Sequence, residues 1–167
     1  AYQQGFDLDK LGISVCSVSG TNFTPYLILL GPKGLDIPLV AITDRDPRPP
    51  KEDGSTRNPL GPNRVVNQML MYLVDADTWE KNDFDAILKL SHRYGIFMNS
   101  DTFEVDLFQE GLHGAFAEAM GAVTDNKSMK ERMNKWAADP KSLDRDAFLK
   151  DIESVGKGRF AQRLASI

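Results

Sequence analysis

The residues best equipped for chemistry stand where a short apolar run stops. Leu39-Val40-Ala41-Ile42 gives way to Thr43, Asp44, Arg45 and Asp46, with prolines close behind. In an extended chain, residues i and i+2 point to the same side, roughly 6–7 Å apart. Two carboxylates so placed repel, and desolvation raises the cost. A hard divalent cation removes the repulsion, and Mg²⁺ takes carboxylate oxygens while keeping several waters. The plainer alternative is that Asp44 turns the chain and Asp46 is solvated. The apolar strand before them favours the cation, because ligands collect beyond the carboxyl ends of strands in α/β sheets.

Two further segments carry chemistry-bearing groups. In NSDTFEVDLF, Glu104 and Asp106 repeat the i, i+2 spacing between Phe103, Val105, Leu107 and Phe108. An acid inside an apolar alternation is costly unless paired or liganded; a solvent-facing polar edge is the competing reading. In SVGKGRFAQRLASI, Lys157 stands between two glycines, Phe160, Leu164 and Ile167 share one helical face, and Arg159 and Arg163 lie i, i+4 on another. Glycines let a backbone approach an anion, and a lysine at a helix start adds charge where the dipole is already positive. A solvated loop lysine fits the same residues. His92 and His113 have no partner at ligand spacing, which argues against zinc.

The elements that must position these groups follow from periodicity. ISVCSV, 13–18, reads as a strand, and NFTPYLILLG as a helix with Pro25 in its first turn and Gly31 at its end. Residues 37–43 read as a strand apolar on both faces, suited to a parallel sheet covered by helices. Residues 46–62 hold five of the nine prolines and cannot be regular structure. Loops of that length are functional or disordered; Arg48, Lys51, Arg57 and Arg64 lie on or beside this one. Val65, Val66, Met69, Leu70 and Leu73 mark a helix, and Phe84, Ile87, Leu88 and Ser91 another that ends near Gly95. GIFMN reads as a third strand. TFEVDLF alternates like a strand and could equally open a helix. Leu112, Ala115, Phe116, Ala119, Met120 and Val123 define a strong helix; 127–138, 145–154 and 158–166 are expected helices too. The methionines fall at core spacing and read as packing.

Composition bounds the class. The 167 residues, 41% hydrophobic and 26% charged, suit one soluble globular domain. No apolar run approaches the roughly 20 residues of a membrane helix, and a cytoplasmic location fits. Lone Cys16 reads as a buried small hydrophobe. A net charge of −4 argues against nucleic acid unless some acids are metal ligands; two divalent cations would cancel it. Three short strands make a thin sheet for so many helices. With Ala at position 1, the sequence is expected to be part of a longer protein, with a first strand preceding it.

Taken together, LGISVCSVSGTNFTPYLILL, IPLVAITDRDP, FMNSDTFEVDLF and GKGRFAQRLA resemble, in order and spacing, the TOPRIM domain of the OLD (overcoming lysogenization defect) family nucleases. The resemblance implies a Rossmann-like parallel sheet flanked by helices, with additional helices in the C-terminal half, over residues 1–167. It implies metal-dependent endonuclease activity on DNA. Asp44 and Asp46 match the family's D-x-D metal ligands, Glu104 the acid of its T-[LF]-E segment, Lys157 a late lysine that steadies charge on the phosphate, and Gly20 the glycine after the first strand seen. Arg45, Arg48, Arg159 and Arg163 are the expected nucleic-acid contacts. The resemblance further implies Mg²⁺, or Mn²⁺ or Ca²⁺ in its place, as two ions in the intact domain. It implies an ATPase domain N-terminal in the full chain, and a homo-oligomer formed through it. One departure stands out: the family's Glu on an earlier strand has no counterpart, and Gln3 and Gln4 do not replace it. Two other readings compete, a TOPRIM-like interaction module that lost its chemistry and a receiver-like phosphoacceptor domain. The receiver fold is shorter and would want a lone acceptor Asp.

Overall fold

A computed structural model describes residues 5–18, 20–75, 77 and 83–167; Gln3 and Gln4 lie outside them. The chain divides into two compact units, residues 1–41 with 63–96, and residues 42–62 with 97–167.

In the first unit, α1 (Thr24–Leu30) starts with Pro25 in its first turn. The helical run from 60 begins as α2 (Leu60–Arg64), widens to a π-type turn at Val65–Leu70 and closes as α3 (Met71–Leu73). Val65, Val66, Met69 and Leu70 are buried there, the face the apolar spacing predicts. Arg64 is buried too, which removes it from the expected phosphate contacts. Asp83 caps α4 (Phe84–Leu90) by accepting from Ala86 N at 2.7 Å. A 3-10 turn, Ser91–Tyr94, then ends on Gly95 with φ +72. A Cβ on Gly95 would lie 2.6 Å from the Leu39 carbonyl, so glycine is required there on two counts.

The sheet has two strands, β1 (Ala41–Thr43) and β2 (Ile96–Met98). Ala41 N donates to Gly95 O and Asn99 N to Thr43 O, the constant offset of a parallel pair. Strand pairing therefore begins later than the expected 37. Residues 13–18 are not a strand; they run without regular structure. Lacking a sheet partner among the described residues, they bury no face: Val15 is 83% exposed, and Cys16 is exposed rather than buried.

The second unit holds the main core. Thr102 caps α5 (Phe103–Leu107) through Val105 N, which settles TFEVDLF as a helix. A kinked turn follows at Phe108–Leu112, where Gly111 adopts φ +104, and α6 (His113–Val123) continues. Asn126 caps α7 (Lys127–Ala138), and Asp144 caps α8 (Arg145–Ser154); α9 is Lys157–Leu164. The buried cluster includes Phe108, Phe116, Phe148, Phe160 and Trp136, with Met120, Met129 and Met133 packed as expected. Phe108 meets Phe148 edge-on at 5.0 Å and Phe116 at 5.6 Å, the arrangement ring quadrupoles prefer. Beside this core, Arg132 grips buried Asp151 with two bonds, at 2.7 and 3.0 Å. Among the described residues no helix is long and apolar enough to cross a membrane.

Candidate metal and nucleic-acid site

The site belongs to the second unit and starts where the strands stop. β1 ends on buried Thr43, so Asp44 is the first residue past the sheet. Its Oδ1 accepts from Asn99 Nδ2 and from Phe103 N, both at 2.9 Å. Two donors on one carboxylate oxygen fix the rotamer of the group.

Those donors come from the loop that joins β2 to α5 and from the first residue of α5, and carboxylates hold that loop. Asp106 accepts from Ser100 N at 2.6 Å and from Asp101 N at 3.1 Å. Asp101 takes Thr102 N at 2.7 Å and Arg145 Nε at 2.7 and 2.8 Å. The hydrogen bond to Asp101, more than the nearby charge, raises the Arg145 pKa above its ordinary value. The Asp101 carbonyl also accepts Arg45 N at 2.8 Å, which ties the D-x-D segment to the loop. Asp106 therefore has a structural task, and Glu104 and Asp106 sit on a helix instead of one face of a strand.

Asp46 departs from the extended geometry its spacing suggests. Its φ is +50, a left-handed conformation that Asp tolerates better than most residues. Its carbonyl accepts Leu60 N at 3.2 Å, and Gly61 N bonds the Arg45 carbonyl at 2.8 Å. The start of α2 is thus clamped against the D-x-D backbone. Glu104, on the first turn of α5, pairs with Lys157 Nζ at 3.4 Å. Lys157 opens α9 after Gly156, whose φ is +87. The geometry thus brings Asp44 to the segment bearing Glu104, and Glu104 to Lys157. Arg159 and Arg163 are exposed on α9, and Arg163 donates to Ser166 Oγ at 3.4 Å. Arg45 and Arg48 are exposed on the loop side of the segment.

Sequence reasoning missed Asn99, Asp101 and Arg145. The NSD triplet reads as a turn, a usable hint for the first two. Nothing local marks Arg145, which lies 44 residues from its partner.

Strand-end acids on a parallel pair flanked by helices define a TOPRIM-type α/β chain. A family model described as "Overcoming lysogenization defect protein-like, TOPRIM domain" matches residues 1–46. The C-terminal region of the Burkholderia pseudomallei OLD protein is 41% identical over 98% of this chain and 76% of its own, with a TM-score of 0.80. The C-terminal region of the Xanthomonas campestris pv. campestris OLD protein is 41% identical over 98% and 74%, with a TM-score of 0.76. No curated protein sequence matches. The chain belongs to the OLD family.

TOPRIM domains generally bind divalent metal ions. Here the described residues contain no group of three or more Asp, Glu, His or Cys side chains placed to hold one. Asp44 has one oxygen committed to two protein donors, Glu104 is paired with Lys157, and the backbone at Asp46 leaves the strand direction. In this conformation the three acids are not gathered around one point, and Asp44 is the one held at the strand end.

Proposed function

We propose that residues 1–167 act as one TOPRIM nuclease domain that nicks or cuts DNA by phosphodiester hydrolysis, dependent on divalent cations recruited at Asp44. Mg²⁺ is the first candidate, with Mn²⁺ or Ca²⁺ as substitutes, and two ions serve the intact protein. Asp46 and Glu104 are the further candidate ligands. Lys157 is the candidate for steadying charge on the phosphate, and Arg45, Arg48, Arg159 and Arg163 for holding the nucleic-acid backbone. The reading extends to an N-terminal ATPase domain in the whole protein, assembly through it, and work in the cytoplasm.

The single observation that carries this reading is Asp44: a carboxylate at the carboxyl end of a parallel strand, its orientation set by donors from the Glu104-bearing segment. Such fixed placement is what a polar reaction site needs before substrate arrives. Conversion of supercoiled plasmid to nicked circle in Mg²⁺ or Mn²⁺ tests it. Wild type should nick, and Asp44→Ala should not. Equal nicking by both would remove Asp44 from the reaction.

A second reading has its own observation. Lys157 occupies Glu104, and the acids do not gather, as in an interaction module that kept the fold without the chemistry. Such a module should bind no divalent cation, which calorimetry decides.

A further inference from the structure

We propose that Arg45, Arg48 and Arg57 together form a seat for one backbone phosphate of a nucleic-acid strand. The inference rests on the nuclease reading for its ligand, and on a separate feature for its geometry. A concavity of about 180 Å³ is lined by these three arginines, Thr56, and Pro47, Pro50 and Pro59. No acidic side chain is among the described residues that line it.

The loop is shaped to make this concavity. Lys51 N donates to Ser55 O at 2.8 Å and Gly54 N to Lys51 O at 2.9 Å, which turns the chain back on itself. Asp53 seals the turn by accepting from Ser55 Oγ at 2.6 Å and Ser55 N at 2.9 Å. Arg57 is thereby returned to the side of Arg45 and Arg48. Leu60 N on Asp46 O closes the loop at its base. The three lining prolines fix φ in the walls and offer no N–H, and the side-chain donors of the lining residues are the arginine guanidiniums and the Thr56 hydroxyl.

Guanidinium forks match phosphate oxygens in pairs of parallel bonds, so three arginines contributing to one concavity suit an anion with several oxygens once their heads turn to it. The size narrows the choice further. Small-molecule sites run to about 300–1,000 Å³, so this volume takes a group and not a whole nucleotide. Arg45 stands between Asp44 and Asp46, which puts the seat next to the segment where cleavage is proposed.

The test is the salt dependence of binding to a short labelled DNA duplex in EDTA, where no cleavage intervenes. Each phosphate contact adds about 0.9 to the slope of log affinity against log salt. Arg57→Ala leaves two arginines on the phosphate and should lower the slope by well under about 0.9, whereas the triple variant Arg45→Ala/Arg48→Ala/Arg57→Ala should lower it by about 0.9, because one phosphate is lost once. Three independent contacts would instead lose about 2.7 in the triple variant, and that result overturns the shared seat. Lys135→Ala, an equal charge change on α7, should leave the slope unaltered. Pyrophosphate separates the sources: if the triple variant abolishes pyrophosphate binding while its duplex slope is unchanged, the seat serves free phosphates and the proposal fails. A wild type that nicks plasmid but shows no slope change in any arginine variant sinks the seat and leaves the nuclease reading standing. A chain that neither nicks nor binds duplex removes both.

Discussion

Gly61→Ala is the substitution that most directly tests how the Asp44–Asp46 backbone is held. A Cβ on Gly61 would lie 2.7 Å from Arg45 Cα and 2.8 Å from Arg45 O, and closer still to the Asp44 carbonyl. All three are backbone atoms that cannot swing aside as a flexible side-chain tip does. The start of α2 must move, or the D-x-D segment must, and the hydrogen bond from Gly61 N to Arg45 O resists both. Overpacking of this kind costs about 1–3 kcal/mol. Gly158→Ala is the matched control: it lies within α9 with nothing near its Cβ, so alanine should gain about 0.5–1 kcal/mol. Urea unfolding of the two variants should therefore show changes of opposite sign. If the chain nicks DNA, Gly61→Ala should also lose activity out of proportion to stability, since a displacement of about 1 Å in a reacting group can cost 10²-fold. A Gly61→Ala protein within about 0.5 kcal/mol of wild type would refute the clamp.

The remaining predictions concern the groups around the site and the core beneath it. Asn99→Ala should cost about 1 kcal/mol in chemical denaturation and weaken cation binding, whereas Asn99→Asp, which puts a second negative charge against Asp44, should cost more. Lys157→Ala in the full-length protein should cut turnover by about 10²–10³ with little change in DNA affinity; turnover within a few-fold of wild type would make Lys157 an ordinary surface charge. Phe148→Ala should lose about 3–5 kcal/mol by thermal or urea unfolding, because its ring touches Phe108, Phe116 and Trp136.

Local signals served the sequence reading well. α7 and α8 begin one residue after Asn126 and Asp144, whose side chains accept from the backbone three residues on, and both helices match their expected spans. Cap and apolar stripe lie within a dozen residues of each other, so nothing distant had to be known. Alternation alone leaves TFEVDLF open between strand and helix, and the Thr102 cap decides it. Residues 13–18 differ for the opposite reason: β-branched residues make a strand only beside a strand to pair with, and none pairs with them among the described residues. At the site, Asp44 and Glu104 could be picked out by type and context. The bond from Asn99 to Asp44 spans 55 positions, and the left-handed turn at Asp46 breaks the extended spacing assumed for D-x-D. Neither is written in local sequence. The pairing of Lys157 with Glu104 likewise joins two segments distant in the chain, with nothing in either to show they meet.

Isothermal titration with Mn²⁺ on the wild-type chain and on Asp44→Ala tests the central claim most directly, because it asks whether the strand-end acid recruits a cation without requiring turnover. Heat of binding in the wild type, reduced at least tenfold in affinity by Asp44→Ala, is the expected result. Equal binding by the two proteins, or no binding by the wild type, would contradict a metal site centred on Asp44.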